Sequence, residues 1–336
     1  MKDEILSLLC EPSSGADLEL LASKVRNGEI WEGIFRSTLT GKEYPIRQGI
    51  PRFVPDDGYT ESFGLQWNRF RRVQLDSANA RHDSRDRFDQ EVGWTANDLA
   101  AKWTLDAGCG SGRFSEVAAE RGAKVIAMDY SGAIDAAAEN LRRFPNVHAI
   151  QGDLLNPPVR PQTVDFVYSL GVVQHTPDRD RALSSMLALL PPGGRFAFTI
   201  YRRRWYTRLN AKYLVRPLTR RLPPGKLLRL LERVMPVLFS VTSVLFSIPG
   251  AGRFFNFMIP VANYVDKRAC ARELRYQEAL LDTFDMLSPA YDCPLNPREV
   301  RRLLDRLGVR EYHFRSELRA LVVRGSAPPT AVLIRS

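Results

Sequence analysis

The chain has 336 residues, 44% of them apolar and 26% charged, with a net charge of +10 at pH 7. That composition is a globular protein's, with room for one full α/β domain plus additions, and no internal repeat or low-complexity tract interrupts it. Four cysteines (Cys10, Cys109, Cys270, Cys293) lie far apart without a CxxC pair; neither a disulfide framework nor a metal cluster is implied, and a reducing cytoplasm fits.

Residues 1–55 read as a small β-rich unit. Met1 to Cys10 carries Asp3 and Glu4 and lacks the apolar core of a secretory leader. Leu8-Leu9-Cys10-Glu11-Pro12 opens the unit, Gly28 and Gly33 punctuate it, and Thr40-Gly41-Lys42-Glu43-Tyr44-Pro45-Ile46 and Gly49-Ile50-Pro51-Arg52-Phe53 close it. Residues 56–100 form a helical lead-in. Gln66, Trp67 and Arg69 are candidates to line a pocket; the competing reading is that the aromatics only dock this segment.

Residues 101–200 carry the strongest pattern. The apolar run Trp103-Thr104-Leu105 leads into Asp106-Ala107-Gly108-Cys109-Gly110-Ser111-Gly112-Arg113, a strand that turns through three glycines into a helix predicted over about 112–121. Glycine lets the backbone approach a ligand closely, and the helix start offers free amide donors. A P-loop lysine is lacking, and the third glycine comes one residue early for a dinucleotide fingerprint. A tight turn without a ligand remains the alternative. A second strand, 124–128, ends at Asp129, 17 residues beyond Gly112, close to where a doubly wound fold sets an acid on ribose hydroxyls. A third, 147–150, leads into Gln151-Gly152-Asp153-Leu154, and a fourth, 164–168, into the loop Ser169–Thr176 with His175. Thr176 and Pro177 read as the cap and first residue of the next helix. That helix stops at Pro191-Pro192-Gly193-Gly194, before a strand over 195–200.

Residues 201–295 change character. Between Tyr201 and Arg233 stand eleven lysines and arginines against Glu232 alone, which equals the whole +10 of the chain. Residues 234–252 and 254–265 are uncharged. A spanning helix, a membrane-surface or lipid-carrier helix, and a helical cap over a site compete for this segment. In the surface reading Leu227, Leu230, Leu231, Val234 and Leu238 share one face, opposite Arg229, Glu232 and Arg233. Nucleic acid is a weaker fit: Asn156-Pro157-Pro158-Val159 follows the third strand and lacks the aromatic of base-amine enzymes. Residues 284–292 read as a turn-rich connection in which Tyr291 and Asp292 either reach an acceptor or serve the turn. Residues 296–326 hold a helix capped by Asn296 with Pro297 first and Gly308 after it, then strands near 310–315 and 319–323; 327–336 reads as a loose tail.

Asp106 to Gly112, Asp129, Asp153 and the Pro-Pro-Gly-Gly turn, in that order over about 100 residues, resemble class I S-adenosyl-L-methionine-dependent methyltransferases of the type 11 kind. The resemblance implies an α/β fold: a Rossmann-like seven-stranded sheet with an antiparallel last strand, a small N-terminal β-rich domain and a helical cap insertion. It implies S-adenosyl-L-methionine as cofactor, on Asp106, Gly108, Gly110, Gly112, Asp129, Tyr130, Asp153, Leu154 and Ser169. Asp129 would take the ribose, Asp153 the adenine amine and Asp106 the methionine amino group, unless Asp106 is only a structural carboxylate. In-line methyl transfer needs no metal, and the acceptor expected is a small molecule, sugar or lipid-linked group. His175 reads as a general base, with loop ordering as its other possible role.

The front unit resembles the Trm112-like zinc ribbon, with departures. Thr40 stands at a ribbon-cysteine position, and Ser13 and Ser14 where a second early cysteine would be. Cys10 alone cannot build a tetrahedral zinc site, so no metal is expected and the unit's role would be packing or partner contact. A non-catalytic cofactor-binding protein that docks a partner through this ribbon is the alternative function. The expected location is cytoplasmic, with peripheral membrane contact through 201–265 under the lipid-surface reading.

Overall fold

The computed structural model describes residues 1–55, 58–266, 270–317 and 320–328. Arg319 of the expected last strand and residues 329–336 of the expected tail lie outside them.

The chain begins with a four-stranded antiparallel meander, β1 (Leu18–Arg26), β2 (Glu29–Ser37), β3 (Glu43–Arg47) and β4 (Ile50–Pro51). Two of its turns place consecutive residues at positive φ: Asn27 and Gly28 at 52° and 77°, Gln48 and Gly49 at 54° and 79°. That handedness matches the twist of paired strands, which is why Asn-Gly and Gln-Gly stand there. At the base of the meander the carboxylate of Glu11 accepts hydrogen bonds from Ser37 Oγ (2.8 Å), Thr40 Oγ1 (2.6 Å), Tyr44 OH (3.2 Å) and Ser14 Oγ. Burial opposes ionisation of Glu11, yet the hydroxyls of Ser14, Thr40, Ser37 and Tyr44 hold its carboxyl down to about 2.

Helices α1 (Glu61–Arg69), α2 (Asp76–Asn79), α3 (Asp83–Glu91) and α4 (Ala96–Leu99) follow. The main sheet comprises β5 (Trp103–Ala107), β6 (Lys124–Asp129), β7 (Val147–Gln151), β8 (Phe166–Leu170), β9 (Arg195–Tyr201), β10 (Tyr312–Ser316) and β11 (Ala320–Ser326). Its order is β10-β11-β9-β8-β5-β6-β7, parallel from β5 through β9, with β11 antiparallel to β9. This is the seven-stranded Rossmann-like sheet expected. Helices α5 (Arg113–Glu120), α6 (Ala133–Leu141), α7 (Arg179–Ala188) and, later, α12 (Pro297–Arg306) connect the strands. Strands buried on both faces read as apolar runs, and all five residues of β8 are buried.

The meander seals one edge of this sheet. Phe53 N–H donates to the Gln151 carbonyl at 2.9 Å, Arg52 bridges to Gln151 and pairs with Asp135 at 2.6 Å, and Leu9 bridges to Val159. Ile5, Leu9, Phe35 and Phe53 lie in the same apolar cluster as Leu105, Ile126 and Ile150.

Between β9 and α12 lie α8 (Ala211–Thr219), α9 (Pro224–Leu245), α10 (Gly252–Met258) and α11 (Arg272–Leu287). α9 buries Leu227, Leu231, Met235 and Phe239 against Leu280 and Phe284 of α11. Among the described residues no helix is long and apolar enough to cross a membrane.

Three local expectations are corrected. Leu230 of α9 faces out, and Leu228, Met235 and Thr242 face in; a helix apolar nearly all round carries no periodic signal to say which side its neighbour will cover. Residues 284–287 are helical, since Leu280, Phe284 and Leu287 recur at helical spacing on the buried side of α11. The helix after His175 starts at Arg179 with Asp178 as cap, its side chain accepting from Arg181 N–H, because Val173–His175 form a tight 3₁₀ turn that uses the Thr176 hydroxyl.

Candidate functional site

The strand order reverses beside β5, which pairs with β6 on one side and β8 on the other. Such a switch point opens a crevice at the carboxyl ends of the strands. A cavity of about 880 Å³ lies there, floored by the turn after β5 and the ends of β6 to β8, and roofed by α1, α10, α11 and the segment 201–213.

The glycine turn is held from below. Gly108 and Cys109 donate their N–H groups to the Met128 carbonyl at 2.8 and 3.0 Å, and Gly110 N–H donates to Asp129 Oδ2 at 2.9 Å. Gly108 and Gly110 have φ of 89° and 55°. A Cβ on Gly108 would sit 2.5 Å from Val172, and one on Gly110 would sit 3.1 Å from the Trp67 ring. Gly108 therefore requires glycine on space and on dihedral, while at Gly110 the positive φ is the stronger demand and a side chain would only crowd the Trp67 ring. Asp129 Oδ1 accepts from Ser131 N–H at 2.9 Å and Ser131 Oγ at 2.7 Å. Oδ1 is thus fully engaged, Oδ2 with its single donor keeps a further lone pair, and the residue lines the cavity.

Of the residues singled out in the sequence, Gly108, Gly110, Asp129, Tyr130, Leu154 and His175 line the cavity, as do Gln66, Trp67 and Asp292. The others stand behind its wall. Asp106 is buried and accepts from Ser115 Oγ at 2.6 Å; burial pushes its carboxyl up to about 7 against that hydrogen bond. Gly112 faces α6, where a Cβ would meet Leu141 at 2.7 Å. Ser169 turns its hydroxyl into the sheet, onto the Ala107 carbonyl at 2.8 Å. Asp153 accepts from Leu155 N–H at 2.8 Å, flanked by the lining residues Gly152 and Leu154. Arg69 pairs with Glu232 at 3.3 Å outside the cavity. Tyr291 contributes its backbone: its carbonyl lies 2.8 Å from His175 Nδ1.

That contact sets the imidazole chemistry. A carbonyl can only accept, so Nδ1 carries the proton and Nε2 of the neutral ring keeps its lone pair. The ring is wedged edge-on between Phe63 and Tyr201, at centroid distances of 5.3 and 5.5 Å.

The roof brings side chains that the sequence did not announce. Lys212 of α8 pairs with Asp292 at 2.6 Å, both nearly buried. Asp282 and Asp285 of α11 line the cavity, and Gln66 Nε2 donates to Asp285 at 3.1 Å. Burial, with Asp285 and Glu278 nearby, raises the Asp282 carboxyl to about 6, while a hydrogen bond from Tyr264 OH opposes the rise. Arg202 and Arg204 line the cavity as well, each with a buried Nε that has no hydrogen-bond partner. Asp282 and Asp285 lie three residues apart on the inner side of α11, one turn beyond the buried Glu278.

Residues 105–198 match the methyltransferase-domain family. Among individual proteins, the chain is 30% identical over 122 residues to a ubiquinone biosynthesis O-methyltransferase of Coxiella burnetii, covering 34% of this chain and 52% of that protein. It is 36% identical over 96 residues to a malonyl-[acyl-carrier protein] O-methyltransferase of Serratia marcescens, covering 28% and 36% respectively. The chain thus spans about half the length, or less, of these relatives. A solved putative S-adenosyl-L-methionine-dependent methyltransferase from Methanococcus maripaludis aligns with a TM-score of 0.44 at 14% identity, over 83% of this chain and 99% of that one.

Proposed function

We propose that the protein is an S-adenosyl-L-methionine-dependent methyltransferase acting on a small molecule held between the sheet edge and the cap helices. One observation carries the reading: the glycine turn, the Asp129 carboxylate and His175 open onto the same cavity, inside the segment that matches the methyltransferase domain. The residues suit that cofactor. Gly108 and Gly110 leave the backbone bare, at Gly108 where a side chain would not fit, and the Ser111 hydroxyl is buried there without a hydrogen-bond partner. When bound, the cofactor supplies a methyl on a sulfonium whose leaving group is a neutral thioether.

In this reading the chain binds, aligns and removes a proton. Asp129 accepts from the two ribose hydroxyls, one on Oδ2 and one on Oδ1 in place of the Ser131 hydroxyl, and Asp153 from the adenine amine, with Tyr130 and Leu154 covering the base. Asp106 acts from behind the glycine turn as the negative partner of the methionine amino group. Gly112 and Ser169 shape the turn without touching the cofactor. His175 Nε2 takes the acceptor's proton, which suits a hydroxyl, ammonium or carboxylic acid. The O-methyltransferase names of the relatives are in keeping with the oxygen acids in that set. The front meander is, on the same proposal, a Trm112-like ribbon in which Glu11 and its hydroxyl donors stand where a metal would be.

Labelled cofactor incubated with metabolite extracts tests the activity. The expected outcome is one labelled product with the wild type, and transfer lower by about 10²–10⁴-fold with His175→Gln at unchanged cofactor affinity. Cofactor binding without transfer to any extract would overturn the catalytic reading in favour of a non-catalytic cofactor-binding protein.

A further inference from the structure

Twelve of the seventeen large apolar residues exposed on the described surface fall between Trp205 and Met258. Helix α8 is inside out. α8 buries Arg216, which donates to the carbonyls of Met286 and Pro289 at 3.1 and 2.7 Å, and tucks Lys212 against Asp292. Its Leu214 and Leu218, one turn apart, are 62% and 69% exposed. The outward side of α9 carries Val237, Val241 and Val244, at the spacing of one helical stripe, opposite the buried Met235 and Phe239, and Ile248 is exposed just beyond the helix end. A helix apolar on both sides is covered on both sides. α10 turns out Phe254 and Met258, also one turn apart.

Basic residues accompany these apolar stripes. Arg208, Arg220, Arg221, Lys226, Arg229 and Arg233 are all exposed. Among the described residues none of them is paired with a carboxylate, and the one acid of α9, Glu232, is already taken by Arg69. Apolar side chains interleaved with unpaired cations are complementary to a surface with an apolar interior and anionic headgroups. A protein partner would need the matching arrangement of acids around an apolar groove; a bilayer supplies it without one.

We propose that the outer face of α8, α9 and α10, with Trp205, docks on an anionic lipid bilayer. Trp205 packs on Tyr206, which packs on Phe257 of α10. Tyr206, Phe257 and Arg253 line the cavity, so the cavity borders the docking face. An acceptor carried by lipid then reaches the cavity from the membrane; this extension, unlike the docking itself, rests on the methyl-transfer reading.

Sedimentation with vesicles of phosphatidylcholine alone, and of phosphatidylcholine with phosphatidylglycerol, tests it on the full chain. Binding is expected only to the anionic vesicles, weaker at high salt, with a blue shift of Trp205 fluorescence. Arg229→Ala and Arg233→Ala should each lower affinity roughly fivefold, and the double variant Val237→Asp, Val244→Asp should abolish it. Cofactor affinity and the melting temperature should stay unchanged in these variants, which separates lost docking from a lost fold. Three results would overturn the proposal: no binding at either salt, wild-type binding by the aspartate variant, or a self-associated wild type that the aspartate variant renders monomeric. Failure of cofactor binding would instead sink the methyl-transfer reading and leave the docking result standing.

Discussion

Two carboxylates near the glycine turn differ by their surroundings. Asp129 is held by Gly110 and Ser131 and faces the cavity. Removing a charged acceptor from a hydrogen-bonded diol costs about 1.5–3 kcal/mol, so Asp129→Ala is expected to weaken cofactor binding at least about tenfold by calorimetry; unchanged affinity would refute its role. Asp106 is almost wholly buried, and burial lifts its carboxyl from near 3.8 to about 7. An acid whose pKa rises on folding lowers stability as pH climbs between the two values, and the penalty is complete above the folded one. Asp106→Asn should therefore raise the melting temperature at about pH 8 and leave it unchanged at about pH 3. A cationic ligand beyond the turn favours the ionised form. Calorimetry in buffers of different ionisation heat should then show a proton released on cofactor binding below about pH 7, a release that Asp106→Asn abolishes.

At the scale of elements, the Glu11 knot fastens three parts of the front meander by hydroxyls rather than by a crosslink. Its carboxyl ionises at about 2, below the ordinary 4.5; the stabilisation is present above that ordinary value and lost as pH falls through the folded one. Glu11→Gln should cost about 1.5–3 kcal/mol in denaturant unfolding at neutral pH; a loss confined to a few tenths would mean the hydroxyls find other partners. Most strands and turns of residues 103–200 were legible in the sequence because each signal is local: Asp129 ends its strand, and Pro-Pro-Gly-Gly ends its helix; the fourth strand instead lies two residues later than expected, at Phe166–Leu170, and takes in Ser169. The cap of α12 was equally legible, with Asn296 and Glu299 forming a reciprocal capping box. The roof was not. Lys212 meets Asp292, and Gln66 meets Asp285, across 80 and 219 positions of chain, and no spacing rule reaches that far. The outer face of α9 was misjudged for a related reason: its sequence records that both sides are apolar, and only α11 decides which one is inside.

For the whole molecule, the meander and the large sheet are fastened along the open edge of β7. An exposed parallel edge invites pairing with another chain, and Arg52, Phe53 and Leu9 occupy that edge or its flank. Deleting residues 1–54 should therefore give soluble oligomers by size-exclusion chromatography, where the full chain with Arg52→Ala stays dispersed. A monodisperse truncated protein would show that the front sheet serves something other than edge protection. The glycine turn carries one more consequence. Asp129 and the Met128 carbonyl latch it in the free protein, so the ligand bay is already shaped before anything arrives. Association of a nucleoside should accordingly run as a single concentration-dependent phase in stopped-flow mixing, with no slower step that levels off at saturation.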